Sequence, residues 1–151
     1  MPDVPLAYFI TWSTYGSWLP GDERGWVETG RPGIQAPDEE RFLHTDRNLF
    51  FDPVVLTQSQ REVVAAAIVD HCAFRSWTLH AKNPRTNHVH VVVTSDLPPE
   101  VTRDQLKSWV SRRLNESFGK RQVWWTRYGS TRWIWDETSL EDAINYAIDG
   151  Q

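Results

Sequence analysis

Cysteine is almost absent from this chain, and long hydrophobic runs are missing altogether. Cys72 is the only cysteine among 151 residues, which excludes an internal disulfide and a cysteine-based zinc site. Cys72 lies in an apolar helical pattern and is predicted to be a buried thiol. No apolar stretch is long enough to span a membrane and no signal peptide is visible, so we expect a cytoplasmic protein with no membrane partner. Without repeats or low-complexity tracts, the length indicates one globular domain over residues 1–151.

An excess of positive charge is also missing, because the net charge is −4, and this alone argues against a nucleic-acid partner. The charge is segregated, however. Residues 103–132 contain eight basic and two acidic side chains, so this segment carries +6 and the rest of the chain −10. Such a segment fits a phosphate-binding surface, although a solvated helix face followed by a basic turn is the alternative. The candidate DNA contacts are Lys107, Arg112, Arg113, Arg127 and Arg132.

Two histidines open the β-branched run at residues 87–93, Asn-His-Val-His-Val-Val-Val. This composition predicts a strand, in which alternate side chains share a face, so His88 and His90 should lie side by side. Neutral imidazole is the commonest metal ligand in proteins, so the pair could hold one divalent ion. The alternative is that the two histidines are only a surface feature of the strand.

The first half of the chain is predicted to contain two strands, a helix and a long irregular excursion. Residues 7–12 are aromatic and β-branched and indicate a strand. Residues 16–50 are rich in Gly and Pro and predict a long loop inserted into the domain, without regular structure. Residues 57–60 match a capping box that begins a helix running to about residue 75. Residues 77–81 indicate a second strand, and a turn then leads into the histidine strand.

The second half of the chain is predicted to contain two helices and two further strands. Residues 102–105 match a second capping box, and the helix that follows should end at Gly119. Arg103 and Lys107 lie off the apolar stripe of this helix. Residues 123–125 and 132–135 predict two strands. The resulting β-α-β-β-α-β-β-α order predicts an α+β fold, a ferredoxin-like (split βαβ) antiparallel sheet with helices packed on one face and a C-terminal helix that carries a tyrosine.

The last helix carries a tyrosine outside its apolar stripe. Asp136 or Ser139 should cap the helix. At about 3.6 residues per turn, Tyr146 lies more than a quarter-turn from the centre of the stripe. An exposed phenol beside the sheet is therefore plausible, with a structural tyrosine as the alternative. The stripe consists of Leu140, Ala143, Ile144, Ala147 and Ile148.

Together these features resemble the single-tyrosine HUH transposases, which include insertion-sequence and REP-associated tyrosine transposases. The Asn87-His88-Val89-His90-Val91 run is similar to the family's Asn-His-x-His-hydrophobic motif, and Tyr146 occupies the place of the nucleophile. The resemblance implies a Mg²⁺ or Mn²⁺ ion on His88 and His90. It also implies attack by Tyr146 on single-stranded or hairpin DNA, a covalent 5′-phosphotyrosine intermediate, and a homodimer.

The third metal ligand is where this chain departs from the family pattern. In insertion-sequence relatives a glutamine one helical turn after the tyrosine completes the site, but that position here is Gly150. The resemblance therefore points to the next residue, Gln151, with Asp149 and Asp142 as alternatives. A non-catalytic nucleic-acid-binding module on the same ferredoxin-like scaffold is the rival hypothesis, and a domesticated transposase is a variant of the first.

Overall fold

The fold was described from a computed structural model, which covers residues 4–17, 26–28, 31–35, 53–121 and 123–149. Its strands are β1 (Ala7–Ser13), β2 (Trp26–Glu28), β3 (Arg31–Gln35), β4 (Thr78–Pro84), β5 (His88–Thr94) and β6 (Ser130–Ile134). Its helices are α1 (Gln58–Arg75), α2 (Pro99–Phe118) and α3 (Glu137–Asp149). No helix in these ranges is both long and apolar enough to cross a membrane.

One four-stranded sheet organises the domain, in the order β4-β5-β1-β6. Every neighbouring pair in it is antiparallel. In the register of the two central strands, Thr11 lies opposite His90 and Ser13 opposite His88. On the other side of β1, Thr11 lies opposite Ser130 of β6. The predicted α+β fold with an antiparallel sheet is confirmed.

Alternation along β1 divides the core between the two faces of this sheet. Ile10 and Trp12 pack with α1 and α2 on one face. These two helices share one face of the sheet, as predicted from the sequence. Phe9 packs on the other face with Ala143 and Ala147 of α3. Because side chains alternate across a strand, each face has a distinct set of residues, and α3 is the only one of the three described helices on the second face.

The two histidines lie on the face that α3 covers. In β5, Val89, Val91 and Val93 belong to the core shared with α1 and α2, whereas Val92 belongs to the core beneath α3. Residues at even positions of β5 therefore point toward α3, and His88 and His90 are among them. We call this side of the sheet the histidine face.

A capping box begins the first helix and a proline begins the second, and one prediction fails here. The capping box of α1 is confirmed: the Gln60 backbone N–H donates to Thr57 Oγ1 (3.1 Å) and the Thr57 N–H donates to Gln60 Oε1 (2.9 Å). The predicted box at residues 102–105 is wrong, since α2 begins one turn earlier at Pro99 and Thr102 lies inside it. Proline suits a first helical position, where no intrahelical N–H donor is needed. Gly119 ends α2 with a φ of 92°, as predicted.

Two other predictions are corrected by the strands. Residues 16–50 were predicted to lack regular structure, but β2 and β3 form an antiparallel pair there; Trp26, Val27 and Ile34 are residues favoured in strands. The predicted strand at residues 123–125 is reduced to an isolated bridge between Thr14 and Trp125. There the aromatic signal came from core packing.

Cys72 is a buried free thiol, as predicted. Trp124 and Trp125 are buried too, and their indole N–H groups donate to side chains of α2: Trp124 to Asn115 Oδ1 and Trp125 to Ser111 Oγ, both at 2.8 Å.

Candidate functional site

The histidine pair lies side by side on β5, as the alternation of the strand predicted. The ring centroids of His88 and His90 are 4.6 Å apart, with the ring planes inclined at 69°. His90 is 5% exposed, whereas His88 is only partly buried. The pair thus has one ring set into the sheet and one at its surface.

Hydrogen bonds fix the orientation of both imidazoles through the same ring nitrogen. His88 Nδ1 lies 2.8 Å from Asn87 Oδ1. An amide oxygen only accepts, so this nitrogen carries the proton and Nε2 keeps its lone pair. His90 Nδ1 lies 2.8 Å from Thr11 Oγ1. Its Nε2 is buried and has no partner among the described residues. Nε2 of His88 is therefore available for a ligand, and Nε2 of His90 is available in the tautomer whose Nδ1–H donates to Thr11 Oγ1.

Both histidines are held in the neutral form that metal binding requires. Burial lowers the pKa of His88 below 6.5, and the Arg85 guanidinium adds to the effect. Burial also lowers the pKa of His90 to about 4, with further contributions from His88 and Arg85. At neutral pH the two rings are uncharged.

A divalent ion fits this donor pair, but the described residues supply no complete site. Oriented Nε2 atoms on neutral rings are the usual arrangement for metal-ligating histidines, with Nδ1 bonded to a neighbouring group. No cluster of three or more His, Cys, Asp or Glu side chains suited to a metal occurs within the described ranges. The alternatives Asp142 and Asp149 therefore do not complete the pair here. Gln151 lies outside the described residues.

Tyr146 lies on α3 above the histidine pair. Its side chain is 48% exposed, in agreement with its predicted position off the apolar stripe. The ring centroid lies 5.7 Å from that of His90 and 5.8 Å from that of Phe9. An exposed phenol is thus placed beside the buried imidazole.

Both ends of the tyrosine helix are anchored by side chains. At the start of α3, Asp136 Oδ1 accepts from the Ser139 backbone N–H at 2.8 Å, which resolves the predicted choice of cap in favour of Asp136. At the other end, Asn83 of β4 donates from Nδ2 to the backbone oxygens of Ala147 (2.8 Å) and Ile148 (3.2 Å). The Asp136 bond caps the helix locally, and the Asn83 bonds tie the end of the helix that follows Tyr146 to β4 of the sheet.

A pocket of about 520 Å³ opens between the histidine face and α3. Thr11, His90, Arg132 and Tyr146 are among the residues that line it. The Arg132 guanidinium lies 5.8 Å from the centroid of the Phe9 ring at the pocket floor. The cavity thus combines a cation, an imidazole and a phenol with the Asp142 carboxylate, and Arg132 is the group in it that can bind a phosphate.

Of the five predicted DNA contacts, the structure brings only Arg132 to this pocket. Arg112 and Arg113 are on α2, which packs against the opposite face of the sheet, and Arg113 NH1 is 2.9 Å from Asp70 Oδ2. Arg127 is exposed, and its guanidinium lies 5.5 Å from the ring centroid of Tyr128.

Lys107 has a structural position instead. Its side chain is only 9% exposed. Its Nζ donates to three consecutive backbone oxygens, those of Thr126 (2.8 Å), Arg127 (3.0 Å) and Tyr128 (3.1 Å). A lysine has three N–H donors, and all three are used here. This placement argues against the predicted phosphate contact.

Several residues of the site were not predicted individually from the sequence. Thr11 orients His90 from a neighbouring strand, and Asn83 anchors the end of α3 from β4. Both contacts join residues distant in the chain, so no local pattern indicates them. Asn87, in contrast, directly precedes His88, and its amide next to a histidine pair was a usable signal.

Solved structures share this fold, although the sequence matches no protein-family model and no curated protein. One similar structure is a REP-associated tyrosine transposase bound to a REP hairpin, at 10% identity and a TM-score of 0.56, over 97% of this chain and 68% of that chain. Another is a candidate transposase from Deinococcus radiodurans R1, at 13% identity and a TM-score of 0.55, over 99% of this chain and 94% of that chain. At such low identity the likeness establishes a common fold.

Proposed function

We propose that this protein is a metal-dependent single-stranded DNA nuclease and strand-transferase of the single-tyrosine HUH type. The observation that carries the proposal is the position of Tyr146. Its ring lies 5.7 Å from His90, on the same face of the sheet as both histidines and in a pocket that also contains Arg132. A nucleophile, a pair of oriented imidazoles and a cation are the groups that phosphodiester transfer needs.

The chemistry assigned to the chain begins with the phosphodiester held in the pocket by the Arg132 guanidinium. The Tyr146 hydroxyl attacks phosphorus and loses its proton, the P–O3′ bond breaks, and the leaving 3′ oxygen takes up a proton. The 5′ phosphate stays on the tyrosine. A hydroxyl from a second strand end can then attack the phosphotyrosine and reseal the strand. His88 and His90 would hold Mg²⁺ or Mn²⁺, which when bound supplies Lewis-acid activation of the phosphate.

Activation of this kind is required because a protonated phenol is a weak nucleophile. The bonds from Asn83 of β4 to the end of α3 support the proposal, since a nucleophile held near the sheet loses less entropy on approaching the phosphate. Single-stranded or hairpin DNA is the proposed substrate, in keeping with the hairpin bound by the similar REP-associated transposase. A homodimer that holds two DNA ends stays a prediction.

The test uses a pool of hairpin-bearing single-stranded DNA with a randomised flank, labelled at the 3′ end. That label stays on the fragment that carries the 5′ phosphate. With Mn²⁺, the wild-type protein should give a slow-migrating covalent adduct on a denaturing gel, and Tyr146→Phe should give none. Tyr8→Phe is the matched control, because the Tyr8 hydroxyl donates to the Leu97 backbone oxygen (2.8 Å) on the opposite face. Its adduct should persist.

An adduct that persists in Tyr146→Phe would contradict the assigned nucleophile. If no protein gives an adduct but all bind the DNA, the rival function holds, and the domain is a non-catalytic nucleic-acid-binding module. A domesticated transposase would still form the adduct but would not move a mobile DNA element.

A further inference from the structure

A second pocket lies beside the first, between the end of β1 and residues 126–130. Its volume is about 580 Å³. It shares Thr11 and Ser130 with the pocket that contains Tyr146, so the two cavities are contiguous. Three consecutive residues of β1 line it, Thr11, Trp12 and Ser13, and of these Thr11 and Ser13 alternate to the histidine face. The remaining lining includes Thr126, Tyr128 and Gly129.

The backbone that borders this second pocket is held from behind by two buried cations. Lys107 Nζ donates hydrogen bonds to the carbonyl oxygens of residues 126, 127 and 128. Arg103 NH1 donates to the Gly129 oxygen at 3.3 Å. Four consecutive carbonyls thus turn toward α2. In a trans peptide the following N–H points the opposite way, so the N–H groups of residues 127–129 are directed away from α2. Successive N–H groups of this kind favour an anion.

The position of this segment is fixed by its close approach to β1. A Cβ added at Gly129 would lie 2.5 Å from the Thr11 backbone oxygen and 3.1 Å from Trp12 Cβ, so no other residue fits here without a shift. The donors of residues 127–129 are therefore set in place before any ligand arrives, which lowers the entropic cost of binding.

An exposed aromatic ring lines the second pocket, and a guanidinium lies beside that ring. Tyr128 lines it and is 63% exposed, with the Arg127 guanidinium 5.5 Å from its ring centroid. Exposed aromatic rings with an adjacent arginine are the platforms on which single-stranded bases stack. The hydroxyls of the lining residues add groups that can bond to the edge of a base.

We propose that this second pocket binds the nucleotide next to the scissile phosphate, with its base stacked on Tyr128 and its own phosphate held by Arg127 and the N–H groups of residues 127–129. The proposal rests on the proposed function, because the scissile phosphate is placed in the neighbouring pocket. It assigns to the chain a subsite for a single-stranded, unpaired nucleotide.

The test uses the sequence most efficiently cleaved from the randomised pool, with one abasic position moved stepwise through the nucleotides around the cut. For wild type, an abasic site at one adjacent position should slow adduct formation about tenfold, the scale of one base–aromatic stack. Tyr128→Ala should form the adduct about tenfold more slowly than wild type on intact DNA, and the abasic site should not slow it further. Tyr128→Phe should restore the dependence.

Phe74→Ala is the matched control. Phe74 is 80% exposed and has the Arg75 guanidinium 6.0 Å from its ring centroid, but it lies on α1. It should respond to the abasic site as wild type does. If wild type forms the adduct and the abasic sites slow Tyr128→Ala as much as they slow wild type at every position, the subsite is overturned while the proposed function stands.

Binding of the labelled pool, measured by fluorescence anisotropy, separates the remaining outcomes. Affinity reduced about tenfold in Tyr128→Ala, but not in Phe74→Ala, supports the subsite even where no adduct forms and the proposed function has failed. Equal affinity of both variants together with no adduct overturns the subsite and the proposed function alike.

Discussion

Replacing Lys107 with methionine removes a buried cation and keeps most of its aliphatic stem. The ammonium donates to the backbone oxygens of residues 126, 127 and 128 at 2.8–3.1 Å. These residues connect the buried Trp125 to β6, which carries Ser130 and Arg132 into the pocket with Tyr146. The substitution should therefore lower the stability of the folded protein.

The magnitude follows from the hydrogen bonds lost and the desolvation recovered. A hydrogen bond to a charged group contributes about 1.5–3 kcal/mol, so three would give roughly 5–9 kcal/mol. Burying the ammonium costs several kcal/mol, and burying a methionine side chain avoids this cost. Arg127 and Tyr128 are exposed, so their carbonyls can bond to water in the variant. We expect the free energy of unfolding to fall by about 2–3 kcal/mol.

Urea denaturation of Lys107→Met beside Lys82→Met measures this loss. Lys82 is exposed on β4, and its replacement should change stability by less than about 0.5 kcal/mol. Under conditions where both variants are folded, Lys107→Met should also keep the wild-type dependence of DNA affinity on salt. Equal stability of the two variants, or a salt slope lowered by about one in Lys107→Met, would refute the structural role and restore the phosphate contact predicted from the sequence.

Three further predictions follow from the same geometry. Burial lowers the pKa of His90 from 6.5 to about 4, so the stability that neutral His90 contributes is complete above pH 6.5 and falls by about 3 kcal/mol as the pH drops to about 4. The free energy of unfolding of His90→Gln should not show this fall with pH, and a pH profile parallel to that of wild type would contradict the prediction. Asn83→Ala should lose about 1–2 kcal/mol and slow adduct formation by loosening the end of α3, whereas Asn145→Ala, exposed on the same helix, should not; equal denaturation and adduct rates would count against the anchor. Arg132→Gln should weaken DNA binding and reduce its salt slope, while Arg113→Gln, paired with Asp70 on the opposite face, should leave both unchanged; the reverse result would place DNA on α2.

The parts of the site that the sequence predicted are those governed by local periodicity. Alternation in a strand placed His88 beside His90, and helical periodicity placed Tyr146 off the apolar stripe. Both follow from backbone geometry within one element. The capping box at Thr57 was likewise contained in four consecutive residues.

The parts that could not be predicted depend on contacts between distant elements. Lys107 lies off the apolar stripe of α2, a position that usually faces solvent, and only the path of residues 126–128 across the helix gives its ammonium three acceptors. Thr11 reaches His90 through strand pairing across 79 positions of the chain. Arg132 lies on the opposite face of the sheet from Arg112 and Arg113 because of the faces that their elements cover. The distribution of charge along the sequence cannot predict those faces.

Peptide mapping of the DNA-linked protein identifies the attacking residue without relying on any substitution. Wild-type protein incubated with the hairpin DNA pool and Mn²⁺ is digested with nuclease and trypsin, and the nucleotide-modified peptide is sequenced by mass spectrometry. The mechanism predicts that the nucleotide is attached to Tyr146, in the peptide that begins after Arg132. Attachment to Tyr128 or Tyr15, or DNA cleaved with no modified peptide, would contradict it.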